Sequence, residues 1–419
     1  MAFDATPTAA RAVTAVRGST TLRAAWSVFW TTRAAVLVVA VFAALSFGPA
    51  TGGLAERNAE VFDEPGLTRS LAEPLLSPLA RWDAAWYLRI AESGYGGSDV
   101  RAAFLPLYPL LVRAVAAPFG ASPGALLVAA YAVSLAAFLG ALVLLHRLVS
   151  LELGRPLAQP ALLLLAVFPA AVFFGAPYAE SLFLLLAVGA FYAARTGRWA
   201  WAGAAAAGAA ATRSAGVLLL LPLAMLWWTT LPRKPGNAAW LLLAPLGLAA
   251  YAAFLGLAEG DAWRFLDVQD AWSRELTVPL AGAWDGLGAA ADGARQLLSG
   301  QTEVVYFDEA AGDPYRIAAI NLMLFGSLVF ALLACVGCLR RLPKAYGVWV
   351  AASLVLPLTF PVKPQPLMSL PRFLAVLFPI FMWLALWSEE RRATARVAAV
   401  SALGLGLFTA QFASWHWIS

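Results

Sequence analysis

Asp83 heads an island of charge and aromatic rings in an otherwise apolar chain: Arg81, Trp82, Asp83, Trp86, Tyr87, Arg89, Glu92 and Tyr95 follow one another closely. Two chemistries suit it. As a helix N-cap, the Asp83 carboxylate would accept orphan backbone N–H groups. Trp86, Tyr87 and Ile90 would then fall near one helical face, and Gly94 suits the position just past the helix end. Trp82, Trp86 and Tyr87 would form an aromatic belt at a membrane surface. Alternatively, a carboxylate held at that surface is a general base. Spacing alone leaves both readings open.

The elements that must position this island are membrane helices. Of 419 residues, 61% are hydrophobic and only 13% charged, against about 25% charged in soluble domains. The expected fold is all-α, a polytopic transmembrane helical bundle. The net charge of +5 does not indicate nucleic acid, because much of the basic excess sits in short loops between apolar segments. Cys335 and Cys338 lie in an apolar run and lack the polar setting of a redox pair. With His146 and His416 the only histidines, no zinc cluster is expected. Residues 1–29 read as a loose cytoplasmic tail without a signal peptide, ahead of one membrane-embedded domain over 30–419.

Apolar stretches of about 20 residues are spans. They fall at 30–50, 124–146, 157–175, 178–194, 199–212, 214–230, 237–257, 316–339, 345–361, 371–388 and 395–414. The run from Phe104 to Phe119 is broken by Pro106, Pro109 and Arg113 and is read as an interfacial or re-entrant helix. Segments 199–212 and 214–230 read as a broken pair with Arg213 at the bend. With the N-terminus inside, the basic loops at 146–155, 195–198, 231–236, 340–344 and 388–396 all fall inside. That parity gives about 11 spans and an outer C-terminus. The outer face then collects the first loop over 51–123, the turn at 175–180, the break at 212–214, the long loop over 259–315, residues 361–372 and the tail from Gln411. Ionisable groups at membrane ends are functional candidates by default. Their convergence points to one site facing away from the cytoplasm. The Ala-rich stretch 202–211 reads as a close-packing helix surface.

Five segments, in order, resemble the PIG-V-like mannosyltransferases, membrane glycosyltransferases of the GT-C fold. They are Trp82-Asp83-Ala84-x-x-Tyr87-Leu88-x-Ile90-Ala91-x-x-Gly94-Tyr95, the run Ala103 to Leu110, Phe168-Pro169 with Ala176 to Phe183, Ala211 to Gly216, and Ser369-Leu370-Pro371-Arg372-Phe373. Trp86 departs from the pattern of many eukaryotic members. The compact, Ala-rich chain is read as a bacterial plasma-membrane protein.

The resemblance implies inverting transfer, to an acceptor hydroxyl, from a polyprenyl-phosphate sugar, with mannose expected. Asp83 is then the general base. The leaving lipid phosphate needs fixed positive charge, for which Arg213, Lys363 and Arg372 are candidates, with snorkelling to the interface as the plainer alternative. Glu180 would pair with one of them or bind a sugar hydroxyl. Tyr95, Tyr108 and Tyr178 would line the sugar pocket, with the aromatic belt as the plainer alternative, and Trp82, Tyr87 and Arg89 join the candidate contacts. Gln269 and Trp272 in the long loop, and His416 near the C-terminus, complete the set. No paired-carboxylate metal site or Gly-rich nucleotide loop is visible. No cofactor is expected, and metal dependence stays open. The acceptor, whether lipid, glycan or protein, is open too. A lipid or glycan flippase is the competing class. Its polar groups would gather near the midplane in a repeated arrangement.

Overall fold

A computed structural model describes residues 7–47, 73–96, 99–302, 313–362 and 365–418. Helix α1 (Pro7–Phe47) is continuous. The tail expected over 1–29 is therefore helical from Pro7 on, since no proline interrupts the chain again before Pro49. Helix α2 (Asp83–Ser93) starts after Trp82, whose φ of 54° places it on the left-handed side, and stops at Gly94, with φ 75°. Asp83 is thus the first helical residue and not the cap, and no side chain caps this end. Helix α3 (Leu107–Ala116) is short and runs into a 3-10 turn ending at Phe119. Helix α4 (Pro123–Glu152) opens with Pro123 behind a Ser122 cap, whose hydroxyl accepts the Ala125 N–H at 3.3 Å.

The span expected over 157–175 is broken. Helix α5 (Ala158–Ala166) ends early and a 3-10 segment runs from Pro169 to Phe174. Pro169 has no N–H and forces Phe168 to an extended conformation. Arg33 of α1 repairs the break. Buried in mid-helix, it donates to the Ala171 carbonyl at 2.7 Å and the Ala166 carbonyl at 3.0 Å, with its guanidinium 4.9 Å from the Phe138 ring. Those carbonyls would otherwise be orphaned in an apolar setting.

Helices α6 (Glu180–Arg195) and α7 (Trp199–Thr212) follow. Arg213 is extended, a 3-10 segment spans Ser214–Leu219, and α8 (Leu220–Thr229) resumes. Helix α9 (Leu246–Ala258) completes an apolar stretch that begins at Pro235. The Ala-rich face of α7 lets backbones touch, as small residues do in membrane helices. A Cβ on Gly203 would lie 2.1 Å from the Trp240 carbonyl oxygen, and one on Gly247 would lie 1.9 Å from that of Ala207. Gly247→Ala should therefore cost about 1–3 kcal/mol by overpacking and lower the melting temperature in detergent. Gly236→Ala, with open space around it, should not.

The long loop expected over 259–315 contains a helix that the sequence reading missed, α10 (Ala281–Ser299). Its glycines gave it the composition of a loop. They let it dock closely, with Gly282 against the Leu358 carbonyl and Gly293 against that of Ala318. Helices α11 (Pro314–Arg341) and α12 (Lys344–Thr359) come next. The span expected over 371–388 is again broken, into α13 (Leu370–Ala375) and α14 (Phe378–Glu390), just ahead of Pro379. Helix α15 (Thr394–Ala413) packs along α1 and the 169–174 segment.

Among the described residues, five helical stretches are long and apolar enough to cross a membrane: Thr20–Phe47, Pro123–Glu152, Pro235–Ala258, Pro314–Arg341 and Thr394–Ala413. Shorter and broken helices pack among them. The chain is an all-α, multi-pass membrane protein whose core runs through α4, α6 and α7.

Candidate active site

The breaks in the helices bring four charged residues from distant parts of the chain to one place. Asp83 stands at the head of α2 and Glu180 at the head of α6. Arg213 occupies the break after α7. Arg372 lies in α13, launched from Ser369 with φ 70°. Arg372 spans the two acids: its Nη1 donates to Asp83 Oδ2 at 2.5 Å and its Nε to Glu180 Oε1. Arg213 Nη1 also donates to Glu180 Oε1. The Arg372 guanidinium lies 4.8 Å from the Tyr178 ring centroid and 5.1 Å from that of Phe173.

The peptide carrying Asp83 is strained. A non-glycine residue with positive φ costs about 1–3 kcal/mol and persists only where its surroundings hold it. Tyr178 supplies one clasp. Its hydroxyl donates to the Arg81 carbonyl at 2.8 Å and accepts the Asp83 N–H at 3.1 Å, so it grips the chain on both sides of Trp82. The Trp82 ring packs edge-on against Trp415 at 5.7 Å and Trp417 at 5.2 Å.

A cavity of about 270 Å³ opens beside this cluster. Its lining mixes polar side chains, among them Asp83, Arg213, Gln269, Arg274 and Arg372, with apolar ones such as Phe183, Leu356, Pro357, Phe360 and Leu377. The two acids differ in access. The Asp83 side chain is 19% exposed and lines the cavity, whereas that of Glu180 is 0% exposed. Asp83 Oδ1 carries no hydrogen bond from the described residues. Asp83 therefore has a carboxylate oxygen available to accept a proton, while Glu180 binds the cations beneath. Burial, followed by the charge of Glu180, pushes the Tyr87 phenol above its ordinary pKa and keeps it neutral. Burial, with Arg372 and Arg213 adding repulsion, pulls the Arg274 guanidinium down to about 10, still cationic at neutral pH.

Residues 28–227 match the family model described as mannosyltransferase (PIG-V). That stretch of the chain is PIG-V-like. Two similar curated proteins are both named GPI alpha-1,6-mannosyltransferase 2. The one from Cricetulus griseus is 36% identical over 160 residues, which cover 35% of this chain and 32% of that protein. The one from Mus musculus is 36% identical over 179 residues, covering 39% and 36%. The chain thus spans about a third of the length of the curated relatives it matches. Among solved structures, the oligosaccharyltransferase AglB from Archaeoglobus fulgidus, in complex with an inhibitory peptide and a dolichol-phosphate, aligns with a TM-score of 0.39 at 14% identity. It covers 91% of this chain and 55% of its own.

The PIG-V match contains Asp83, Tyr178, Glu180 and Arg213 but stops short of Arg274, Arg372 and Trp417. Of the residues that the PIG-V resemblance nominated, the cavity is lined by Asp83, Tyr87, Arg213, Gln269 and Arg372. Others stand elsewhere. Tyr108 is fully buried against Ser134 and the Ala130 carbonyl, and Tyr95 donates to the Phe104 carbonyl. Tyr178 and Trp82 support the Asp83 peptide from behind. Glu180 is buried and pairs with Arg213 and Arg372, the first of the two roles expected for it. Arg89 stacks over Trp86. His416 Nδ1 contacts the Ser414 hydroxyl at 3.1 Å, and it is the neighbouring Trp417 that lines the cavity. Trp272 ends a 3-10 turn, and Lys363 lies outside the described residues. Among those described, no cluster of three or more His, Cys, Asp or Glu could hold a metal.

Sequence reasoning missed Arg274 and Trp417. A lone arginine between Trp272 and Glu275 in an outer loop was the available signal for the first. For the second it was the Trp-His-Trp ending, in which the histidine drew the attention.

Proposed function

We propose that this protein is a membrane glycosyltransferase of the GT-C type. It moves a sugar, mannose by its PIG-V likeness, from a polyprenyl-phosphate donor to an acceptor hydroxyl on the non-cytoplasmic face of a bacterial plasma membrane. The observation that carries the reading is an open carboxylate, Asp83, in a cavity whose other charged side chains, among the described residues, are guanidiniums. Asp83 takes the acceptor proton as the acceptor oxygen attacks the anomeric carbon. The bond to the phosphate oxygen breaks on the opposite face, so the anomeric configuration inverts. Arginines placed where the phosphate leaves stabilise the developing charge in a dry site. The apolar side chains in the cavity lining suit the start of the polyprenyl chain.

Steady-state kinetics with radiolabelled polyprenyl-phosphate mannose test this. Arg213→Ala should raise the donor KM about tenfold, the loss of one charged hydrogen bond. Arg372→Lys keeps the charge but loses the fork that reaches Asp83 and Glu180 together, so kcat should fall as well. Unchanged kinetics in both variants would remove these arginines from the site.

A further inference from the structure

Among the described residues, three guanidiniums and two carboxylates make up the charged cluster around this cavity. Arg372 is engaged by both Asp83 and Glu180, and Arg213 by Glu180. Among the described residues, Arg274 is the cavity guanidinium without a carboxylate partner. It donates to the Phe360 carbonyl at 3.3 Å and lies 5.8 Å from the Phe373 ring centroid. The Arg213 guanidinium lies 5.2 Å from that same ring. Among the described residues, three positive charges less two negative leave one net positive charge, and the member without a carboxylate partner is Arg274.

Its place is set by backbone contacts. Arg274 bridges antiparallel to Val362. The Glu275 N–H donates to the Pro361 carbonyl at 3.4 Å and the Thr277 N–H to that of Thr359 at 3.0 Å. These contacts fasten the long outer loop to the C-terminal end of α12. The guanidinium is thereby held over the cavity with donors to spare, since an arginine has five N–H groups and one is described in use.

We propose that Arg274 is the residue that receives the phosphate of the lipid-linked donor. The proposal rests on the glycosyl-transfer reading above and assigns the donor class by charge. A monophosphate-linked sugar is a phosphodiester with one negative charge, which matches the single net positive charge of the cluster. In transfer, the acceptor oxygen bonds to the anomeric carbon and its proton goes to Asp83. The bond from that carbon to the phosphate oxygen breaks, and the electron pair leaves with the phosphate. The phosphate gains a second negative charge as Asp83 loses one, so cluster and leaving group stay balanced. A diphosphate donor would bring an extra charge into a low-dielectric site with no partner for it, which is costly. Arg213 and Arg372 already share their charge with carboxylates and add to the hold on the phosphate only with the donors that remain. Arg274 offers a planar fork of the geometry that phosphate accepts.

The test uses the purified full-length chain in detergent and two probes: polyprenyl phosphate without a sugar, and the uncharged polyprenol of the same length. The wild type should bind the phosphate more tightly than the alcohol. Arg274→Gln should bind polyprenyl phosphate about 10- to 100-fold more weakly, the worth of a charged hydrogen bond, with polyprenol binding unchanged. Arg274→Lys should recover part of the loss. If Arg274→Gln retains the wild-type preference for phosphate, or loses both ligands alike, Arg274 is not the receiver, and the transferase reading stands apart from it. If the wild type shows no preference for the phosphate, the donor reading falls and the Arg274 assignment with it.

Discussion

Purified Asp83→Asn should fold like the parent and lose about 10²-fold or more in sugar transfer. The substitution keeps the shape of the side chain and removes its ability to take a proton. Asparagine caps helices about as well as aspartate, and Trp82, not Asp83, occupies the cap position here. A structural account of Asp83, as a partner of Arg372, predicts a lower melting temperature with turnover retained by the molecules that fold. Asp83→Glu should also lose activity, because the longer arm displaces the carboxylate from the hydroxyl it must deprotonate. Sugar transfer by each variant, with melting in detergent to confirm folding, separates the two accounts. A folded Asp83→Asn protein with near-normal transfer would return this residue to a structural role.

Glu180→Gln should instead act first on stability. The carboxylate is fully buried and binds Arg372 and Arg213 together. Removing one partner of a buried ion cluster costs about 3–5 kcal/mol, because the remaining charges stay desolvated without compensation. The melting temperature should fall well below that of Asp83→Asn, and transfer should fall with it as Arg372 loses its anchor. Thermal melting of the two variants side by side makes the comparison. A Glu180→Gln protein that melts like the wild type but transfers poorly would point instead to sugar contact by this carboxylate.

Much of this arrangement could be read from the chain because local chemistry announces it. The Arg213 break marks where a helix ends, and the aromatic run after Arg81 marks the short helix that carries Asp83, whereas the span read over 157–175 ran through Pro169, where the helix stops. Four of the nominated charges, those of Asp83, Glu180, Arg213 and Arg372, do meet. What joins them is not local. Arg372 and Asp83 are 289 residues apart, and no periodicity reports such a contact. Arg274 escaped notice for the same reason, since its position depends on pairing with Val362. Helix α10 was hidden by the glycines that let it dock. Arg33 was visible as an arginine inside an apolar span, a feature that flags a role. Its partners are the carbonyls of Ala166 and Ala171, on either side of the break at Pro169 and more than 130 residues away in sequence. Tyr108 and Tyr178 show how residue type alone does not report placement. Their residue type suits a sugar pocket, but both are fully buried as supports.

The central claim is chemical transfer, and the most direct measurement follows the fate of the donor. The purified wild-type protein is reconstituted in vesicles with radiolabelled polyprenyl-phosphate mannose and a membrane extract as the source of acceptors. Label should leave the donor, free polyprenyl phosphate should accumulate, and the mannose should appear on a new product with inverted anomeric configuration. Donor that crosses the bilayer and remains intact would contradict this account and identify the protein as a carrier of lipid-linked sugar.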